Sequence, residues 1–207
     1  MRPALGIVDY GSGNFGSVWN AGLRLGLSQV AIRGPQDVKR CSHIVLPGVG
    51  AFGAAMDRLA TSELDRLVID EARAGRRPIL GICVGMQILA DLGCEFGSHP
   101  GLGLITGTVE RIQVPSTMPL PHMGWNSVEM QGDSPLFDGI DGEPALYFVH
   151  SYHLVPTDPA VIAATATYGH PIVAAVSQGS LHGVQFHPEK SQEHGLQLLH
   201  NFVTLRV

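Results

Sequence analysis

Ile79-Leu80-Gly81-Ile82-Cys83-Val84-Gly85-Met86-Gln87-Ile88-Leu89 sets an apolar run against Gly-x-Cys-x-Gly and then a second, helix-forming run. This is the grammar of a nucleophile elbow. Glycines on both sides of Cys83 let a strand turn sharply into a helix and leave the residue between them standing above a sheet. The turn is expected to aim the first helical N–H groups at the sulfur, favouring its thiolate, and to leave the Val84 N–H free to donate to an oxyanion. A free cysteine at a strand end is also a common small hydrophobe of protein cores. The elbow alone therefore leaves both readings open.

Two further stretches bear on it. Val184-Gln185-Phe186-His187-Pro188-Glu189 puts a histidine and a carboxylate two residues apart in an extended segment, where side chains i and i+2 share a face. Such a pair can act as base and orienter, the imidazole taking the thiol proton while the carboxylate holds its tautomer. Pro188 helps keep the segment extended. Without Cys83 the same His-x-Glu would read as an ordinary surface strand end. The other stretch, Leu46-Pro47-Gly48-Val49-Gly50-Ala51-Phe52, is a glycine-rich loop after a buried-type strand. Loops at the carboxyl ends of neighbouring strands meet over one crevice, so Val49 or Gly50 could supply a second oxyanion donor. A plain strand-to-helix turn fits this loop as well.

Outward from the elbow, the first half of the chain alternates short apolar runs with helical patterns. Strands are expected at residues 5–8, 30–32, 44–46 and 78–82, with a helix from about Phe15 and another over 62–74, where Leu64, Leu67 and Val68 recur at helical spacing. From about Gly103 the pieces become strand-like, at residues 108–112, 127–130, 146–149, 161–167, 172–176 and 181–186, and predict mixed or antiparallel sheet. Leu196, Leu199 and Val203, with Leu198 and Phe202 beside them, predict a closing helix. The expected fold is α/β, one domain over residues 1–207, with a mixed, mostly parallel central sheet flanked by helices and no internal repeat.

Composition narrows the partners. A net charge of −5 with Lys and Arg scattered singly gives no electrostatic footprint for nucleic acid or an anionic membrane. The N-terminal apolar run is broken by Asp9, too early for a signal-peptide core, and no later run has the length to span a bilayer. Three cysteines without metal-type spacing argue against a disulfide framework, and a cytoplasmic location is expected. His150 and His153, or His182 and His187, invite a metal reading, but neither pair has accompanying Cys or carboxylate ligands at zinc spacing. No metal and no cofactor are expected. Gly11-Ser12-Gly13-Asn14-Phe15-Gly16 matches the dinucleotide fingerprint literally, yet the acidic residue that should close the second strand is missing, since Arg33-Gly34-Pro35 follow Ile32.

Taken together, Gly81-Ile82-Cys83-Val84-Gly85-Met86-Gln87 and His187-Pro188-Glu189 resemble the class I (triad) glutamine amidotransferases. Four segments make the chain similar, within that family, to the glutaminase subunits of imidazole glycerol phosphate synthase, from histidine biosynthesis: Val8-Asp9-Tyr10-Gly11-Ser12-Gly13-Asn14, Pro47-Gly48-Val49-Gly50, Pro121-His122-Met123-Gly124-Trp125-Asn126 and Tyr147-Phe148-Val149-His150-Ser151-Tyr152. The resemblance implies a catalytic triad of Cys83, His187 and Glu189, an oxyanion hole from Val84 with Val49 and Gly50, and glutamine held by Gln87, Gly50 and backbone near Ser151. The Cys83 thiolate would attack the side-chain amide of glutamine, His187 would protonate departing ammonia, and water would hydrolyse the glutamyl thioester. Ammonia would pass to a (β/α)₈-barrel cyclase subunit, joined in a heterodimer, to make imidazole glycerol phosphate and an aminoimidazole carboxamide nucleotide. It further implies that the loop over residues 47–50 rearranges when the partner docks, so that activity alone is low. Asn14, Trp125, Tyr147 and Lys190 are the candidates for the contact face, although each would also suit an ordinary rim position. Val84 stands where Leu is commoner in the family and Ser151 where Thr also occurs; both proposed roles use backbone and tolerate the change. A peptidase with the same elbow and an inactive binding relative are competing readings, with Gln87 against the first and the intact triad against the second; amidotransferases feeding purines, pyridoxal phosphate or anthranilate are closer rivals, and the His122-Met123-Gly124-Trp125-Asn126 segment discriminates against them.

Overall fold

Runs such as His43–Gly48 and Ile79–Cys83 bury every residue, which requires a strand covered on both faces rather than one that alternates between core and solvent. A computed structural model describes residues 4–207; residues 1–3, where the expected domain and the N-terminal run begin, lie outside the described residues. In chain order the elements are β1 (Ala4–Val8), α1 (Phe15–Arg24), β2 (Ser28–Ile32), the single turn α2 (Pro35–Val38), β3 (His43–Gly48), α3 (Phe52–Thr61), α4 (Leu64–Ala74), β4 (Ile79–Cys83), α5 (Val84–Gln87) and β5 (Ala90–Gly93). There follow β6 (His99–Pro100), β7 (Ile105–Arg111), β8 (His122–Ser127), β9 (Glu129–Met130), β10 (Ala145–His150), β11 (Tyr152–Pro156), β12 (Ile162–Tyr168), β13 (His170–Gln178), β14 (Leu181–Val184) and α6 (Gln192–Thr204).

An 8-stranded sheet runs β2-β1-β3-β4-β14-β13-β12-β9. The half from β2 to β14 is parallel and the half from β14 to β9 antiparallel, so β4 and its terminal cysteine stand near the middle, between β3 and β14. The expected mixed, mostly parallel α/β sheet is therefore the observed one. Two smaller sheets, β10-β8 and β11-β7-β5-β6, are built from strands lying between Ala90 and Pro156.

Several expectations change at their edges. The strand expected over 127–130 is broken at Val128: β8 pairs with β10, whereas β9 turns to pair with β12. The strand expected over 181–186 ends at Val184, because Gln185 and Phe186 leave the ladder toward the site. Helix α3 and strands β5, β6, β8 and β11 are not marked by the sequence patterns above. The helix after the elbow is a single turn. Leu102 N–H bonds to Ile88 O at 2.8 Å and Leu104 N–H to Leu89 O at 2.9 Å, so the carbonyls that would continue the helix are taken by residues far along the chain.

Candidate active site

Cys83 pairs with Gly48 across the β3–β4 ladder and then leaves the strand at φ 56°, ψ −113°. For a non-glycine residue this is a strained conformation, costing about 1–3 kcal/mol and persisting only where the surroundings impose it. Here they do. A Cβ at Gly85 would overlap the Leu46 carbonyl, one at Gly48 the Gly85 amide, and one at Gly81 the Gly85 carbonyl, so three glycines let two strands and the turn close on one another. With only one helical turn behind the elbow, the field of a long helix, which the sequence suggested would favour the thiolate, is largely absent. Other groups near the sulfur have to supply it.

The first is His187. Its Nδ1 lies 2.7 Å from Glu189 Oε1, with both side chains fully buried. The pair does not share a strand face as expected: His187 is the last extended residue, and a 3₁₀ turn over Pro188–Lys190 brings Glu189 back beneath the ring. The backbone is pinned by the His187 N–H on Tyr147 O at 2.8 Å and by the Ser191 hydroxyl on His187 O at 2.7 Å. Burial alone would lower the His187 pKa, but the neighbouring Cys83 and the hydrogen bond and charge of Glu189 raise it to about 9. Near neutral pH the ring is therefore an imidazolium beside Cys83, on the wall of the same cavity.

The second is Gln185, which no sequence motif marks. It is fully buried, and its Nε2 points at Cys83 Sγ at 3.7 Å, while its Oε1 accepts from Gln87 Nε2 at 3.0 Å. Its position two residues before His187 was the available signal, because alternate residues of an extended segment face the same way. Gln87 also donates to Tyr152 O at 2.8 Å.

Val49, Gly50, Cys83, Val84, Gln87, Ser151 and His187 all line one cavity of about 190 Å³, so the expected triad, oxyanion and substrate positions are brought together, with Glu189 just behind. That volume is below the roughly 300–1,000 Å³ of pockets for drug-sized ligands and suits a molecule of amino-acid size. Glu95 lines it too, and no motif announced it; its Oε2 accepts the Phe52 N–H at the start of α3 at 2.9 Å. Gly50 adopts φ +94°, which a side chain would resist, and the Tyr10 hydroxyl donates to Pro47 O at 2.6 Å, tying down the same loop. A larger depression of about 620 Å³ lies against residues 39–43 and 203–207, but burial pushes its thiol, Cys41, up to about 11, which leaves it protonated and inert.

The four candidates for a contact face divide. Asn14 is only 3 % exposed; its amide donates to Glu189 Oε1 at 3.3 Å and its own oxygen accepts from Ser12 at 2.7 Å, so it braces the His187–Glu189 pair rather than presenting a surface. The fingerprint-like loop around it is thus occupied within the protein. Trp125, 49 % exposed, packs edge-on against Tyr147, and Lys190 Nζ lies 5.7 Å over the Tyr147 ring. These three form one patch beside the triad.

The model of the family "Glutamine amidotransferase class-I" matches residues 7–205. The chain is 43% identical over 201 residues to the imidazole glycerol phosphate synthase subunit HisH of Syntrophotalea carbinolica, covering 95% of this chain and 97% of that one. It is 47% identical over 214 residues to the subunit of the same name from Rhodospirillum rubrum, with 98% of each covered. Among solved structures, PurLQS from Thermotoga maritima superposes with a TM-score of 0.76 at 19% identity over 99% of both chains. The crystal structure of another glutamine amidotransferase gives a TM-score of 0.74 at 20% identity over 97% of this chain and 99% of that one, and both likenesses concern the fold. The chain belongs to the class I glutamine amidotransferase family, among the HisH subunits of imidazole glycerol phosphate synthase.

Proposed function

We propose that residues 1–207 form one glutaminase domain that hydrolyses glutamine through a thioester on Cys83 and delivers the ammonia to a cyclase subunit in histidine biosynthesis, in the cytoplasm. The observation that carries the reading is the strained Cys83 at the strand end, sharing one small cavity with the buried His187–Glu189 pair.

The Cys83 sulfur attacks the side-chain amide carbon of glutamine, and the oxygen that gains the electron pair is received by backbone N–H groups of Val84 and of Val49 or Gly50. Each such donor is worth about 2.7–4 kcal/mol to the transition state. His187 Nε2, which faces the cavity with no oxygen or nitrogen partner, passes its proton to the leaving nitrogen. The same ring then takes a proton from the water that opens the thioester, and Glu189 keeps its Nδ1–H in place throughout. Glu95, the carboxylate on the cavity wall, suits the substrate's α-ammonium, and backbone at Ser151 suits its carboxylate.

Ammonia released into water near neutral pH is mostly protonated and no longer nucleophilic, which favours handing it over within a complex. The Trp125–Tyr147–Lys190 patch is the proposed docking face for the (β/α)₈-barrel cyclase. Aromatic and cationic side chains of this kind are enriched at interfaces, and Lys190 is one residue from the triad's Glu189. Glutamine hydrolysis would be measured with and without the cyclase partner and its nucleotide ligand, in wild type and Cys83→Ala. Stimulation by the liganded partner that vanishes in the mutant is the expected result. Activity dependent on Cys83 but indifferent to this partner would move the chain to another amidotransferase pathway, and Cys83-independent activity would overturn the proposal.

A further inference from the structure

Strands β8 and β10 lie in one antiparallel ladder that sets His122 directly opposite His150 and Trp125 directly opposite Tyr147. One end of this two-stranded sheet therefore carries the exposed aromatic patch, and the other runs into residues 149–152 of the cavity wall. Between them is a line of hydrogen bonds that admits one assignment. His150 Nδ1 lies 2.8 Å from Tyr152 O; a carbonyl only accepts, so Nδ1 carries the proton. Burial holds the His150 pKa down at about 3, so the ring is neutral and its Nε2 is a bare acceptor. His122 Nδ1, 3.0 Å away, must then be the donor. Burial likewise keeps His122 neutral, at about 4, which leaves its Nε2 to accept from Asn126 Nδ2 at 3.2 Å. The same Asn126 amide also donates to Thr167 O at 2.9 Å.

The rings have little freedom to leave this arrangement. His122 is stacked between Phe148, centroids 4.7 Å apart, and Tyr168, 4.1 Å apart, and Tyr168 is itself held by its hydroxyl on Pro119 O at 2.6 Å. The far end of the line is Tyr152 O, whose two lone pairs are filled by His150 Nδ1 and by Gln87 Nε2. Gln87 Nε2 is thereby turned toward the protein, onto Tyr152 O and Gln185 Oε1, and its Oε1 is the atom without a protein partner in the cavity.

We infer that His122 and His150 are positioning residues of the glutamine subsite: a directed relay, Asn126 to His122 to His150 to the Tyr152 carbonyl, sets the wall at residues 149–152 and the orientation of the Gln87 amide. Packing alone does not account for the pair. Two buried imidazoles cost more than two apolar side chains of the same volume unless their hydrogen bonds matter. The inference rests on the glutaminase reading, and it places the residues upstream of binding rather than in the chemical step.

The test compares substitutions whose order differs for a relay and for packing. Asparagine at 150 keeps an amide donor near the position of Nδ1 but leaves space; phenylalanine fills the space and has no donor. For the partner-activated complex, the KM for glutamine is expected to stay within about twofold in His150→Asn and to rise roughly tenfold in His150→Phe, with kcat little changed in both. At position 122 the same order is expected, with His122→Asn below His122→Phe although phenylalanine better preserves the stack on Phe148 and Tyr168; this pair decides the matter if the variants at 150 do not fold. The rate at which iodoacetamide labels Cys83, followed on its own peptide, should match wild type in the asparagine variants, which keep the chain of contacts from Tyr152 O through Gln87 and Gln185 to Cys83. Phenylalanine variants with wild-type KM, or asparagine variants worse than phenylalanine, would overturn the relay. A wild type without Cys83-dependent glutamine hydrolysis would instead sink the glutaminase reading beneath it.

Discussion

In the proposed mechanism, Cys83, His187, Glu189 and Gln185 divide the labour of making a sulfur nucleophilic without a long helix behind it. Glu189→Gln removes the charge that helps hold His187 at about 9 and releases its tautomer, so kcat for glutamine is expected to fall by about 10²-fold or more, measured in the partner-activated complex. Gln185→Leu removes the amide facing Cys83 Sγ and the acceptor that Gln87 uses. With a buried Gln87 donor left unpaired at about 1–3 kcal/mol, kcat/KM should drop roughly tenfold to a hundredfold, and unchanged kinetics would show that the 3.7 Å contact carries no weight. The raised pKa of His187 also bears on stability. A histidine whose folded pKa lies above its ordinary 6.5 adds stability that is complete below pH 6.5 and is lost as pH climbs through about 9. Thermal midpoints of wild type should therefore decline between about pH 7 and 9.5, and more gently in Cys83→Ala, where one of the raising contacts is gone.

At the scale of elements, the site is the meeting of two strand ends and a turn at a spacing only glycine permits. Gly85→Ala pushes a methyl group into the Leu46 carbonyl, so β3 and the elbow have to separate; overpacking of this kind costs about 1–3 kcal/mol or more, readable by denaturant unfolding, and activity should be lost with it. The loop over residues 47–50 depends on a softer restraint. Tyr10→Phe deletes the hydroxyl bond to Pro47 O with little change of shape, and is expected to cost about 1 kcal/mol of stability. If that loop supplies an oxyanion donor, the same variant changes kcat rather than the KM for glutamine; an effect confined to KM would place the loop in binding alone.

Across the whole molecule, burial keeps His122, His153 and His182 near 4 and His150 near 3, so the fold holds all four neutral where an unfolded chain would begin to protonate them. Stability should fall as pH drops from about 6.5 toward 4, opposite in direction to the alkaline loss from His187, and an acid limb that starts only below about pH 4 would contradict this. The order of βα units, the elbow, the His-Pro-Glu turn and the glycine-rich loop could be read directly, because each depends on neighbours a few residues apart: apolar runs, glycines that allow a sharp turn, a proline that stiffens a segment. Contacts between distant residues were beyond that grammar. Asn14 looked like a surface residue until the fold placed it under Glu189, 175 positions away. Glu95 had no motif around it, and the helix after Cys83 shortened to one turn because residues 102–105 capture its carbonyls. The pairing of His122 with His150 depends on the β8–β10 register, which no local pattern specifies. The chain's own sequence determined the elbow, the His-Pro-Glu turn and the family; the tertiary structure alone decided which buried amides and imidazoles surround them, since hydrogen bonds between remote segments exist only once the sheets have formed.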